Sequence, residues 1–458
     1  IGDGTPQSCT EEALAAAVAD GGIITFSCGG DPFTLTVTAP LVATDDTVID
    51  GDGLITLSGA NSTRILMLDS GFDVDTPLLT VQRLTFRDGQ SQAGGDDTAV
   101  GGGAIYRDGG SLTIIDSTFM NNHAPATGQD VAGGAVYGFG GGAITVAGSV
   151  FVGNEASNGG AIGALQSDLT ILNTTLSDNA ATGSGGNPGD GGTGGAIYQD
   201  GVDERTVVCG SQLTDNHAGA IGGALFRVSN THDGTFAMDR TTVSHNEVAD
   251  ADKSLAGGMY LQGLDITITA STIADNRAGF GGGIWLGQDS TVSMENDTIA
   301  GNDAFISHGG GLWLAGEPSG TIVNCTIANN RSSSSEGLAG AIFGAGLTLK
   351  NTIIAGQTVG TPYSAISCDA EHGEGGGNLQ WPVEHAMGGS DDPDALCSPE
   401  IMVADALLGD LGDHGGPTAT LVPAAKSPAI GAGHDCPATD QRGQVRAEPC
   451  TSGAVEAE

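Results

Sequence analysis

A short phrase, glycines followed by an aliphatic and in most copies an aromatic residue, returns along the chain as GGAIY, GGAVY, GGAIG, GGALF, GGMY, GGGIWL, GGGLWL and GAIF. Self-similarity of this kind constrains a fold more than any single segment does, because each unit must bury its apolar face against the next copy. Aligned on the small residue, the column reads Ala104, Ala135, Ala161, Ala196, Ala224, Gly258, Gly283, Gly311 and Ala341, which makes nine units of 25 to 35 residues. Every unit but the last then reaches an asparagine: Asn122, Asn154, Asn179, Asn216, Asn246, Asn276, Asn302 and Asn330. The distance from small residue to asparagine is 18 to 22, whereas from asparagine to the next small residue it is 7 to 17, so length variation is confined to one connector.

Within the steady part stand three short apolar stretches, such as GAIY, LTII and STFM in the first unit, each bounded by turn formers. None leaves room for a helix. Three strands per turn and about 25 residues per turn predict an all-β chain folded as a single parallel β-helix, with coils stacked at roughly 4.8 Å. Ile105, Val136, Ile162, Ile197, Leu225, Met259, Ile284, Leu312 and Ile342 then point inward. The asparagines tolerate left-handed backbone angles and stack as an amide ladder at a corner. Residues 1–100 are expected to hold an N-terminal cap and irregular early coils, 101–357 the regular coils, and 358–458 a disulfide-bonded C-terminal cap. The N-terminal cap is a helix in CTEEALAAAVAD, with Thr10 at its N-cap and Glu11 and Glu12 in its first turn.

Seventy-eight glycines without a three-residue period exclude collagen, and 39% hydrophobic residues suffice for a core. The net charge of −41 opposes association with nucleic acid or an anionic bilayer. Partners are therefore expected to be neutral, cationic or bridged by a divalent metal. No apolar run is long enough to span a membrane, and no basic leader opens the chain, as in a mature secreted protein. Six of the eight cysteines fall in close pairs near the ends: Cys9 with Cys28, Cys368 with Cys397, and Cys436 with Cys450. These pairs predict disulfides and an oxidising compartment, secreted or at the cell surface. Cys209 and Cys325 are expected to be buried thiols.

The repeated GGAI with its later asparagine (TFMNN, SVFVGN, TIADN, TIAGN, TIANN) resembles the bacterial right-handed parallel β-helix proteins of the pectin-lyase-like superfamily, especially polymorphic outer-membrane-protein-like passenger regions. The stretch LLGDLGDHGGPTATLVPAAKSPAIGAGHDCPATDQRGQVRAEPCTSGAVE is similar to the end of the choice-of-anchor Q group of secreted proteins. The resemblance implies the fold. For function it implies only a range, from lyases, glycosidases and epimerases to adhesins, because function lives in sites and not in folds.

Two columns can carry chemistry. The residue after each inward aliphatic is Tyr106, Tyr137, Gly163, Tyr198, Phe226, Tyr260, Trp285, Trp313 and Phe343. Strand alternation turns such a row outward as a platform for sugar rings, unless the connector covers it. Tyr260, Trp285 and Trp313 are the candidate ligand-binding residues. Beside the asparagines, Asp215, His217, His245, Glu247, Asp275 and Arg277, with Lys253 in a connector, form a second patch. His217, His245, Glu247, Lys253 and Arg277 suit acid–base work on a uronate glycan, lyase before hydrolase, whereas alternating charges also form plain surface ion pairs. Calcium is the candidate metal, with oxygen ligands in DGDG at 50–53 and DVD at 73–75, although EF-hand spacing is absent. The sequence therefore points to a secreted or surface binding and adhesion module for carbohydrate. The alternatives are a polysaccharide-active enzyme and a structural surface-layer or matrix component.

Overall fold

In the computed structural model, which describes residues 1–94, 96–249, 253–361, 365–383 and 395–457, the chain is an all-β parallel β-helix of about thirteen turns. It divides into two compact units, the first comprising Ile1–Val207, Ser211–Ala220 and Ala224–Arg227, the second Val208–Gly210, Ile221–Gly223 and Val228–Glu458. One coil of the first unit runs through strands Ile162–Leu165, Asp168–Leu172, Thr175–Ser177 and Ala180–Ala181. The first three are the expected strands. The fourth, a two-residue strand directly after the ladder asparagine, corrects the count of three: Glu155 pairs with Ala180 and Ala180 with His217 on successive coils. It is too short to leave an apolar run in the sequence.

Pairing is parallel and in register. Ile105 faces Val136, Val136 faces Ile162, and Ile162 faces Ile197 in the first unit. Met259, Ile284, Leu312 and Ile342 face one another likewise in the second. All nine aliphatics of this column are at most 1% exposed, and burying each contributes about 1.5–3 kcal/mol.

The asparagine ladder forms as expected. In the first unit Nδ2 of Asn122 donates to Oδ1 of Asn154 at 3.0 Å, Asn154 to Asn179 at 2.9 Å, and Asn179 to Asn216 at 3.0 Å. In the second, Asn246, Asn276, Asn302 and Asn330 are joined by the same bond at 2.9 Å. The left-handed backbone lies one position earlier than the sequence reading placed it. Asn121 (φ 53°), Asp178 (φ 55°), Asp215 (φ 56°), His245 (φ 57°), Asp275 (φ 54°) and Asn329 (φ 56°) take it, sharing that column with Gly153 and Gly301. These residue types bear the αL conformation at least cost. A second ladder, not foreseen, occupies another corner. The backbone N–H of Ser117 donates to Ser149 Oγ (3.1 Å) and that of Thr174 to Ser211 Oγ (3.1 Å). In the second unit Ser271 N–H donates to Asp297 Oδ1 (2.8 Å) and Asp297 N–H to Cys325 Sγ (3.4 Å).

Helix α1, Glu11–Asp20, forms where the capping pattern predicts it, with Thr10 Oγ1 accepting from Ala13 N–H. Its Leu14 and Val18 are fully buried. The C-terminal region divides. Strands Gly373–Glu374, Leu379–Trp381 and Met402–Val403 continue the coils by pairing onto the preceding ones. Residues 405–457 then form a strap along the flank of the second unit instead of a simple end cap. Thr418 Oγ1 donates to Ala270 O, Thr298 Oγ1 to Gln441 Oε1, Arg446 to Asn296 Oδ1, and Gly453 N–H to Asn351 O. Beneath the strap, strands Thr272–Ala274, Thr298–Ala300, Thr326–Ala328 and Ile353–Ala355 are buried on both faces. In the first unit the corresponding Thr118–Met120 and Thr175–Ser177 bury only the central residue.

The three expected disulfides are present: Cys9–Cys28, Cys368–Cys397 and Cys436–Cys450. Cys325 is buried, as expected. Burial pushes its thiol pKa up. Cys209 is only half-buried, because the inward positions of its strand are Thr206 and Val208.

Candidate functional site

The aromatic column behaves differently in the two units. In the first, Tyr106, Tyr137, Tyr198 and Phe226 are at most 4% exposed. Connectors explain this: Tyr106 Oη donates to Thr98 O at 3.3 Å, and Asn187 of the long 183–195 connector donates to Tyr198 Oη at 3.0 Å. At Gly163 a Cβ would lie 2.6 Å from Ala132 Cβ and 2.9 Å from the Tyr137 ring, so no side chain fits there. The outward platform is therefore not found in this unit.

In the second unit Tyr260, Trp285, Trp313 and Phe343 are all half-buried. They sit at the same position on strands Met259–Gln262, Ile284–Leu286, Leu312–Leu314 and Ile342–Phe343. Tyr260 and Trp285 stack with centroids 5.9 Å apart and planes 17° apart; Trp285 and Trp313 stack at 4.8 Å and 9°. Phe343 lies 4.3 Å from Trp313, tilted by 47°. Rings stacked on one another at the coil spacing cover each other's faces, so a ligand meets a strip of ring edges. Those edges are the electropositive part of an aromatic ring. Tyr260 Oη donates to Gln262 Oε1 at 2.6 Å, and burial pushes its pKa up to about 12.

His308 and Asp369 join this strip without having been singled out in the sequence. The His308 ring lies 4.8 Å from Phe343 and 6.0 Å from Trp313, and its Nδ1 accepts from Leu338 N–H at 3.3 Å. Burial lowers its pKa, against the opposing pull of Asp369 and Glu336. The available signal was position: His308 directly precedes GGGLWL.

The polar candidates are placed as follows. Asp215 and His217 belong to the first unit, and His217 is exposed. His245, Glu247, Lys253, Asp275 and Arg277 belong to the second. There His245 Nε2 lies 3.8 Å from Asp275 Oδ2, with the His245 side chain 61% exposed. Arg277 pairs with Glu247 at 2.5 Å and reaches Asp303 at 3.8 Å, Arg331 pairs with Asp303 at 3.1 Å, and the Arg277 guanidinium lies 3.9 Å over the Phe305 ring. The fourth strands thus carry a Glu–Arg–Asp–Arg ladder, one charge per coil. Lys253 is exposed, directly after residues 250–252, which lie outside the described residues.

Of the expected calcium ligands, the two carboxylates of DGDG make ion pairs and hydrogen bonds. Asp50 accepts from the Arg83 guanidinium and from Gln82 Nε2 (2.8 Å), and Asp52 pairs with Arg83 at 2.8 Å. Asp75 lines a cleft of about 590 Å³ in the first unit with Asp168, Asp203 and Glu204. Among the described residues no group of three or more His, Cys, Asp or Glu side chains is placed to hold a metal ion.

The family described as "Right handed beta helix region" matches residues 196–365, and the expected right-handed parallel β-helix accords with it. The chain is also similar in structure to the Azotobacter vinelandii mannuronan C-5 epimerase AlgE4 A-module, with 14% identity, 82% of this chain and 95% of that one covered, and a TM-score of 0.33. A further similarity is to PfbA, a surface adhesin of Streptococcus pneumoniae, with 13% identity, coverage of 86% and 94%, and a TM-score of 0.36. Similarity this distant carries no functional weight. No curated protein sequence matches the chain.

Proposed function

We propose that the chain is a secreted or cell-surface binding module whose second unit holds a carbohydrate along the Tyr260, Trp285 and Trp313 strip. The observation carrying this reading is the contrast within one column: rings closed over by connectors in the first unit, half-exposed in the second. Indoles left at a surface are costly unless a partner covers them. Ring edges and indole N–H groups suit the oxygen-rich rim of a sugar. The three disulfides accord with an oxidising, extracellular location, as does the resemblance of the C-terminus to the choice-of-anchor Q group.

Binding is favoured over catalysis by the state of the acid–base candidates. Asp215, His245 and Asp275 are residue types suited to the αL corner they occupy. Glu247 and Arg277 neutralise each other in the charge ladder. The test is a glycan array followed by titration of whatever binds, using the native chain, Trp285→Ala, Trp313→Ala, His245→Ala and Lys253→Ala. The two tryptophan variants are expected to lose about ten-fold or more in affinity, and the other two to bind as the native chain does. Retained binding in Trp285→Ala and Trp313→Ala, or release of sugar products that stops in His245→Ala, would overturn this reading.

A further inference from the structure

Resting on the reading that the ring strip holds a glycan, we propose that the glycan is an amino-sugar polymer, recognised through protonated hexosamine groups by Asp369 and Glu336 at the Phe343 end of the strip. The column does not stop at Phe343. Ile342 forms a parallel bridge to Cys368, so the residues that follow them, Phe343 and Asp369, occupy the same place on adjacent coils. Where four coils carry a ring, the fifth carries an exposed carboxylate. Asp369 is fixed there, since its Oδ1 accepts from Gly344 N–H at 2.7 Å. Glu336 comes from the 331–340 connector, and both carboxylates act on the His308 ring that lies against Trp313 and Phe343.

Two cations of the same coils are committed elsewhere. Arg277 is held by Glu247 and Asp303 and covers Phe305, and Arg331 is held by Asp303. His308 accepts at Nδ1 from the backbone, which leaves it a neutral ring with its proton on Nε2. A uronate carboxylate at this end would face two like charges in a chain of net charge −41. A protonated amine would instead find two acceptors beside a neutral ring donor, with the sugar rim along the ring edges.

The test uses the full chain and three oligomers of equal length: glucosamine, N-acetylglucosamine and galacturonate. Each is titrated calorimetrically at about pH 5.5, where the amine is protonated and the carboxylates are still ionised, in low and in physiological salt. The glucosamine oligomer is expected to bind about five-fold tighter than the acetylated one, an advantage that shrinks with salt. The double variant Asp369→Asn, Glu336→Gln is expected to lose the advantage while binding the acetylated oligomer normally; Asn at 369 keeps an acceptor for Gly344. Equal or tighter binding of the acetylated or galacturonate oligomer, or an advantage that survives the double variant, overturns the amino-sugar assignment alone. Absence of binding by all three oligomers, with Trp313→Ala no different from the native chain, overturns the strip as a glycan site and this assignment with it.

Discussion

At the scale of single residues, two adjacent polar columns carry opposite structural burdens. The Asn302 side chain makes four hydrogen bonds: it accepts from the backbone N–H and Nδ2 of Asn276, and donates to Ile273 O and Asn330 Oδ1. It is fully buried, so Asn302→Ala leaves several polar groups unpaired. The expected loss is about 3–5 kcal/mol in denaturant unfolding. Asn329, one position before the ladder residue Asn330, is exposed and supplies chiefly its αL backbone. Asn329→Gly is expected to stay within about 0.5 kcal/mol of the native chain. Equal costs for the two substitutions would show that ladder and corner had been assigned to the wrong columns. The sequence reading recognised the ladder because asparagine recurs in every unit but the last, where Gln357 takes its place. It missed the corner because Asn, Asp, His and Gly share a backbone property and not a side-chain chemistry. The same corner column holds Asp215, His245 and Asp275 of the polar patch that the sequence offers for acid–base work.

At the scale of elements, the strap explains a difference between third strands that the sequence displays but does not explain. Those beneath the strap read TIA at 272–274, 298–300 and 326–328 and IIA at 353–355, whereas those of the first unit read TFM, VFV, TLS and QLT. The outward alanine is what allows a second layer to approach: Ala300 and Ala328 cluster with Leu421 of the strap, with Leu408 and Leu411 against them. Period and apolar pattern made the coils legible, since each coil repeats the same local rule. The strap has no period and is held by irregular contacts such as that of Arg446 with Asn296, so nothing in the sequence located it. The aromatic row was legible as a column, but its exposure depends on which connector groups fold onto it, as Asn187 does onto Tyr198, and could not be read from the rings. Ala300→Leu, with Ala300 2% exposed under the strap, is expected to cost about 1–3 kcal/mol by overpacking and to hasten proteolysis within 405–457. Ser177→Leu, at the matching position on an uncovered strand, is expected to change stability by no more than about 0.5 kcal/mol. An Ala300→Leu chain as stable and protease-resistant as the native one would mean that the strap does not depend on this seat.

At the scale of the whole molecule, the charge balance sets a term that no single contact reverses. The chain has 55 acidic side chains against 14 Lys and Arg, so even if every cation paired with one acid, 55 − 14 = 41 carboxylates would lack a partner. Two effects of salt then compete. Screening weakens the Glu247–Arg277–Asp303–Arg331 ladder, but its exposed Glu247–Arg277 pair contributes about 0–1 kcal/mol, and the pairs of the buried Asp303 are screened less. Screening also relieves the mutual repulsion of the unmatched carboxylates, which destabilises the compact state. With so large an excess the second effect is expected to win. Raising sodium chloride from about 10 mM to about 150 mM shortens the screening length from about 30 Å to about 8 Å, and the thermal unfolding midpoint should rise. Calcium and magnesium at matched ionic strength are expected to act alike, because Asp50 and Asp52 already hold Arg83. A midpoint that falls with salt would place the ion pairs above the repulsion. An increment specific to calcium would instead locate a cation site among carboxylates outside these pairs, with the Asp75, Asp168, Asp203 and Glu204 cleft the first place to look.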